Sequence, residues 1–474
     1  METNSMPTRL LRLVTLLIVL ALTAGCGGAP TPVARPTPTL SPGQTTPLPS
    51  YEARALPTEI GAFFAGSGAC TICHSDMTDE AGNDVSIDKD WRAAIMANAS
   101  RDPYWLASVR SEAIDHPSLR LVIEDKCAQC HTSMARTTAV VAGEESVLLD
   151  DGFLDQNHPL HALAIDGVSC TLCHQIKEQG LGDPESFSGE FSIDTERSRG
   201  ERMAYGPYVP VPELIAVMRN ESGFFAERGP QIERAELCAS CHTLYTPYIG
   251  EEGQVAGTFP EQVPYLEWLH GDFAETTACQ DCHMPAAQGA VRTATTGGSP
   301  PRAPFAQHRF IGGNTYILKM LWAYGDEYNV TASSEHFARK VDQTLERLQN
   351  RAATLELQDL SLNGSTLSFD VVIEPLTGHK MPTGFPSRRA WLHVVVTEGA
   401  KDMVFESGAF NPDGSIVGND NDADAAAYEP HYEEITAPDQ VQIYEPILQE
   451  VSGGVTTALL RAMRYLKDNR MLPA

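Results

Sequence analysis

Asp166-Gly167-Val168-Ser169-Cys170-Thr171-Leu172-Cys173-His174 contains a pattern that returns four more times, and its reading decides what this chain folds around. The other copies are Cys70-Thr-Ile-Cys73-His74, Cys127-Ala-Gln-Cys130-His131, Cys238-Ala-Ser-Cys241-His242 and Cys279-Gln-Asp-Cys282-His283. Ten of the 11 cysteines are used this way, and only Cys26 is left over. With 11 Cys and 14 His in 474 residues, independent placement would give roughly 0.008 matches to Cys-x-x-Cys-His, so the repetition is a constraint. The two sulfurs of one such turn can add to the two vinyl groups of one haem, and the adjacent His then lies under the iron as an axial ligand. Zinc ribbons pair Cys-x-x-Cys halves without an obligatory His, and disulfides do not account for five histidines at one fixed offset. The sequence therefore predicts five haem c groups.

The first cysteines are 57, 43, 68 and 41 residues apart, so all five attachment sites fall between Cys70 and His283. One haem per roughly 43 residues leaves too little protein to insulate each macrocycle from the next. The expectation is a mainly α haem domain over residues 51–290, with little regular structure between the haems and a row of redox centres as its core. Such a row conducts electrons, and catalysis on it requires one iron with an open position.

Nine histidines outside the motifs compete for at most five remaining axial positions. Trp91-Arg-Ala-Ala-Ile-Met96-Ala-Asn-Ala-Ser reads as an alanine-rich helix, on which Met96 is either a thioether ligand that raises a potential or core filler. One of His158 and His161, shortly before the third motif, is expected to be a ligand. His270 ends an amphipathic helix predicted from Glu261 to Leu269 and reads as a ligand, a cap or a surface residue. His116, between Asp115 and Pro117, fits a helix cap better than an iron.

Upstream, Arg9 and Arg12 precede an apolar run from Leu13 to Ala24, too short to span a bilayer and suited to a signal-peptide core. Residues 1–25 are expected to be removed, leaving Cys26 of Thr23-Ala24-Gly25-Cys26 lipidated, so that a lipid anchor ties an exported chain to the membrane facing the periplasm or cell exterior. Residues 26–50 carry Pro30, Pro32, Pro36, Pro38, Pro42, Pro47 and Pro49 among Thr and Ser, a stalk that cannot bury a core. The 34 Lys and Arg against 62 Asp and Glu give a net charge of −28, which repels phosphate backbones and argues against nucleic acid.

After His283 the patterning changes. Residues 291–351 read as a helical segment, with one helix over Asn314 to Tyr324 and another capped by Ser334 that carries Phe337, Val341, Leu345 and Leu348. From 352 to 474 the period drops to two around an Asn363-Gly364 hairpin signal, predicting a β-rich, sandwich-like domain closed by a helix from Thr456 to Asn469. Gly378-His379-Lys-Met-Pro382-Thr-Gly384 is a tight loop that either aims His379 at a haem or merely turns the chain. Asp420, Asp422 and Asp424 alternate as in calcium loops, but Ala425 and His431 stand where such loops need Gly and Glu, so a solvated acidic loop is the stronger of the two readings.

These motifs, with Trp91 to Trp105, Cys279-Gln-Asp-Cys-His-Met-Pro285, Gln307-His308-Arg-Phe310 and the His379 loop, resemble exported multihaem c-type cytochromes. The superfamily includes tetrahaem cytochromes of nitrification, pentahaem nitrite reductase and hydroxylamine oxidoreductase. The resemblance implies that a His following the last motif serves as a distal ligand, here His308. It also implies a distal His for the first haem where this sequence has Met96, and relatives that continue past Leu472-Pro-Ala. It implies electron transfer with other cytochromes or membrane quinol-oxidising complexes. The competing enzyme reading, a nitrite or hydroxylamine oxidoreductase with one open iron, lacks the Cys-x-x-Cys-Lys motif of the nitrite enzyme, since all five motifs end in His.

Overall fold

Cysteines at i and i+3 share one face of a helical turn, and the chain places each motif in or at the end of a short helix. In the computed structural model, which describes residues 47–399 and 402–474, the helices are α1 (Ser67–Thr71), α2 (Ile87–Trp91), α3 (Pro103–Asp115), α4 (Arg120–His131), α5 (Ser133–Ala142), α6 (His161–Ile165), α7 (Cys170–Cys173), α8 (Pro212–Ser222), α9 (Ala235–His242), α10 (Pro264–Trp268), α11 (Cys279–His283), α12 (Thr315–Ala323), α13 (Ser334–Arg351) and α14 (Asp420–Ala423). The five motifs belong to α1, α4, α7, α9 and α11. The signal segment, Cys26 and most of the stalk lie outside the described residues. Among the described residues no helix is long and apolar enough to cross a membrane.

Local chemistry explains where the helices stop. Asp102 caps α3 by accepting from the N–H groups of Tyr104 and Trp105, with Pro103 at the first position. The helix expected around Met96 ends at Trp91, and residues 92–101 are turns. The Asn98 amide donates to the carbonyls of Arg92 and Ala94, taking acceptors a continued helix would use. The helix expected from Glu261 begins only at Pro264, which has no N–H to give. Glu261 belongs instead to the strand Val255–Gln262, paired with Leu244–Ile249. Ser333, not Ser334, caps α13, its hydroxyl accepting from His336 N–H.

Residues Pro47–Ala474 form one compact unit, so the expected boundaries near 290 and 351 do not separate independent cores. Ile317, Leu318 and Leu321 of α12 and Phe337 and Val341 of α13 pack on Ala93, Ile95 and Tyr51. The stalk ends earlier than expected, because Pro49 O already accepts from Trp322 Nε1 and Ser334 Oγ. A second core joins Trp105 and Val109 of α3, Ala128 of α4 and Ala135 and Ala139 of α5 to Leu148 and Phe153. A third ties Phe259 to Leu448 and Ala462, so the C-terminal sheet is docked on the strand pair 244–262.

Strands occur on both sides of the expected divide. Arg202–Gly206 and Phe224–Arg228 pair in parallel. Among the described residues the C-terminal part holds four separate sheets of two or three strands. The Asn363-Gly364 signal forms the hairpin Ala353–Asn363 with Thr366–Pro375, Gly364 adopting φ +65° in a two-residue loop. The closing helix is a correction: Val455–Thr456 and Ala462–Asp468 are strands flanking Pro446–Glu450, with one 3-10 turn between them. Leu459, Leu460, Met463 and Leu466 have helical spacing, but pairing with Pro446–Glu450 and burial of the Lys467–Glu445 ion pair at 3.0 Å decide for strand.

Candidate functional site

All fifteen residues of the five motifs line one continuous cavity of about 1840 Å³, well beyond the roughly 300 to 1,000 Å³ of an ordinary small-molecule site. The ten cysteines form no disulfide and are all partly buried. Contacts run between motifs: Cys70 faces Cys170, Cys130 faces Cys241, Cys238 faces Cys279, and Cys173 lies beside Cys241. The motifs thus form a branched chain, first to third to fourth, with the second and fifth both on the fourth.

A metal needs an imidazole nitrogen without a proton, and the hydrogen bond of the other nitrogen decides which one that is. Four motif histidines donate Nδ1–H to backbone carbonyls: His74 to Thr293 at 2.5 Å, His131 to Ala99 at 2.8 Å, His174 to Tyr205 at 2.5 Å and His283 to Ile311 at 2.5 Å. Their Nε2 atoms are left as lone-pair donors. Burial pushes the pKa of all five motif histidines down, that of His283 to about 4, so the imidazoles are neutral. The Trp105 indole stacks on the His131 ring at 4.3 Å and 2°, fixing its rotation.

Two motif histidines face a second imidazole. His174 and His308 have ring centres 6.3 Å apart at 21°, and His283 and His379 have ring centres 6.3 Å apart at 22°. Two imidazoles bound to one metal through nitrogens about 2 Å from it, with ring centres about 1 Å further out, would have centres about 6 Å apart. Free sulfurs on one face of each turn, neutral Nε2 atoms and these two ring pairs suit covalently attached haem with axial histidines.

Of the six distal ligands anticipated from sequence, Met96, His308 and His379 line the cavity, and His158, His161 and His270 do not. His158 Nδ1 accepts from Leu160 N–H, whereas His161 Nδ1 donates to Phe153 O, so His161 is the member of the pair with a free Nε2. His270 is exposed beyond the end of α10. His116 caps both α3 and the 3-10 turn Pro117–Leu119. No second imidazole faces His74, His131 or His242 among the described residues at the separation of the two pairs above.

The His379 loop is held by groups the sequence did not announce. Glu267 of α10 accepts from Lys380 N–H at 3.2 Å, from Thr383 Oγ1 and from Arg470 Nη1 at 3.2 Å. Met381 and Met471 exchange backbone hydrogen bonds at 3.0 Å, and Ala474 N donates to Thr377 O. The last residues of the chain therefore strap His379 against the motif-bearing part. A Cβ at Gly378 would meet Trp268 at 3.2 Å and Phe273 at 3.3 Å, which is why this bend takes glycine.

Nothing in the acidic loop supports the calcium reading. Asp422 is spent on Arg389, at 2.9 and 3.1 Å, and on Ile416 N–H, and no group of three or more His, Cys, Asp and Glu residues is placed to hold a metal ion among the described residues.

No protein-family model and no curated protein matches this chain. Among solved structures it is similar to a penta-heme cytochrome c552 from Thermochromatium tepidum, with 17% identity over 86% of this chain and 84% of that chain and a TM-score of 0.49.

Proposed function

We propose that this chain is a pentahaem c-type cytochrome that carries electrons outside the cytoplasm. The observation that carries this reading is the single cavity lined by all five motifs, with two opposed imidazole pairs across it. When bound, each haem iron supplies a centre that accepts and releases one electron. The chain's own residues fix the motifs next to one another, hold the imidazoles neutral by burial, fix the tautomer of four of them by carbonyl hydrogen bonds, and close His308 and His379 over the third and fifth sites. The fourth motif is the junction of the network, touching the second, third and fifth.

A second reading, an oxidoreductase of the nitrite or hydroxylamine type, is supported by His74, His131 and His242, which lack a facing imidazole among the described residues. Met96 is available to close one of these irons. The exchange partners of the electron-transfer reading are redox proteins, other cytochromes or membrane quinol-oxidising complexes, and the tether is a lipid on Cys26.

Mass measurement of the denatured mature protein and low-temperature paramagnetic resonance test the proposal together. Five covalent haem increments are expected, with low-spin irons that bind no carbon monoxide at the third and fifth sites. Fewer than five increments removes the cytochrome reading. A stoichiometric high-spin iron that binds carbon monoxide, with turnover of nitrite or hydroxylamine at roughly 1 to 10³ per second, replaces the conductor with the enzyme.

A further inference from the structure

The cavity has one wall that the motifs do not explain. Lys340, Thr344, Arg347, Leu348 and Arg351 of α13 all line it. At about 100° per residue, positions 340, 347 and 351 fall within roughly 40° of one another on the helix, so three cations form one stripe. In a chain with 62 acidic and 34 basic residues, cations find carboxylates easily, yet none of these three has an ion-pair partner among the described residues. Neighbouring Arg339 takes Asp90, and Lys380 and Arg389, also on the cavity wall, take Asp468 and Asp422.

Lys340 is the most telling member. It is 2% exposed, and its ammonium has one named acceptor, the carbonyl of Arg309. Burial pushes its pKa down to about 7 even though the Asp90 carboxylate, itself paired with Arg339, acts in the opposite direction. The charge of Arg347 reaches the His283 imidazole, so the middle of the stripe looks onto the fifth motif. A haem bound through its vinyl groups carries two propionate carboxylates on the edge away from the cysteines. Guanidinium groups bind carboxylate bidentately and stay charged.

Resting on the cytochrome reading above, we propose that the Lys340, Arg347 and Arg351 stripe binds the propionates of the haem held by Cys279, Cys282 and His283 and raises that haem's reduction potential. Cations that neutralise the propionates remove negative charge that would otherwise favour the ferric state, so their loss lowers the potential.

The experiment is a spectroelectrochemical titration of the full holoprotein, wild type against the double variant Arg347→Gln with Arg351→Gln. The fifth haem is identified as the one whose iron turns high-spin in His379→Ala. In the double variant its reduction equilibrium constant should fall about tenfold, a shift of about 59 mV for one electron, with the other four moving less. Arg347→Lys, which keeps the charge, should restore most of the shift. Resonance Raman bands of the propionates should change in Arg347→Gln, a readout that does not depend on the titration. Unchanged potentials together with unchanged propionate bands overturn the proposal. So does a wild-type potential that moves with added inorganic phosphate when the variant's does not, because the stripe then holds a free anion. A wild-type haem count below five tells against the cytochrome reading itself and is separable from either result.

Discussion

An imidazole binds a metal only through a nitrogen that carries no proton, and in this protein backbone carbonyls settle which nitrogen that is. Thr293, Ala99, Tyr205 and Ile311 each accept an Nδ1–H, so a change of side chain at those positions would leave the tautomer intact. The distal side depends on side chains. His308→Ala and His379→Ala are each expected to convert one low-spin iron to high-spin, and the double variant two, as counted by paramagnetic resonance. A variant whose spectrum keeps its full low-spin count would show that the ring pairs do not share an iron. Asp166 offers a test at pH instead. Burial raises its pKa from 3.8 to about 6, although Ser67 N–H, Ser67 Oγ and Ser169 Oγ all donate to it. A carboxyl whose folded pKa is raised binds protons more tightly when folded, so its contribution is full below pH 4 and is lost as the pH rises through 6. The shift corresponds to about 3 kcal/mol at most. Asp166→Asn should flatten the loss of stability between pH 4 and 6 in denaturant titrations, and an unchanged slope would assign that loss to other groups.

At the scale of elements, the coupling of α10 to the C-terminal strand Ala462–Asp468 and the residues after it decides whether His379 reaches its site. Glu267 collects Lys380 N–H, Thr383 and Arg470, and Arg470 in turn grips Asp468 at 2.8 Å. Both Glu267 and Arg470 are buried. Glu267→Ala leaves the Arg470 cation short of one partner in the interior, a loss expected to cost about 3 kcal/mol or more. The functional consequence should be a partly high-spin spectrum at the same iron that His379→Ala exposes, while the His174–His308 pair stays low-spin. Full retention of low-spin character would mean that the loop is held by its backbone exchange with Met471 alone. The same strand is where sequence patterning misled. Its leucines fit a 3.6 period, and only the presence of the partner strand Pro446–Glu450 converts that stretch to β structure. Met96 is a parallel case, since an alanine-rich run predicts a helix until Asn98 captures the carbonyls that would continue it.

At the scale of the whole molecule, the proposed lipid anchor at Cys26 and the five motifs stand in separate stretches of the sequence. Cys26 precedes a proline-rich stretch, and among the described residues Pro49 and Tyr51 pack on α12 and α13. Cys26→Ser should therefore release the protein from the membrane fraction with its haem spectrum unchanged. Retention in the membrane pellet would point to a tether other than this residue. The body itself does not divide as the composition suggests, because Tyr51, α2, α12 and α13 share one core and the C-terminal sheet shares another with the strand pair 244–262.

The five motifs were legible in the sequence because their spacing is local: two cysteines and a histidine on one turn need nothing from the rest of the chain. The net charge is likewise a property of composition, and the expected export signal and stalk rest on short patterns. Which imidazoles face the motif histidines was legible only in part, because His308 and His379 lie 134 and 96 residues from His174 and His283, and the sequence named Met96, His158, His161 and His270 beside them. Which motif touches which, and which unpaired cations of α13 look into the cavity, were also decided only by the tertiary structure. Those relations are set by packing between segments remote in the chain, where burial and hydrogen-bond satisfaction choose among partners that local spacing leaves equivalent.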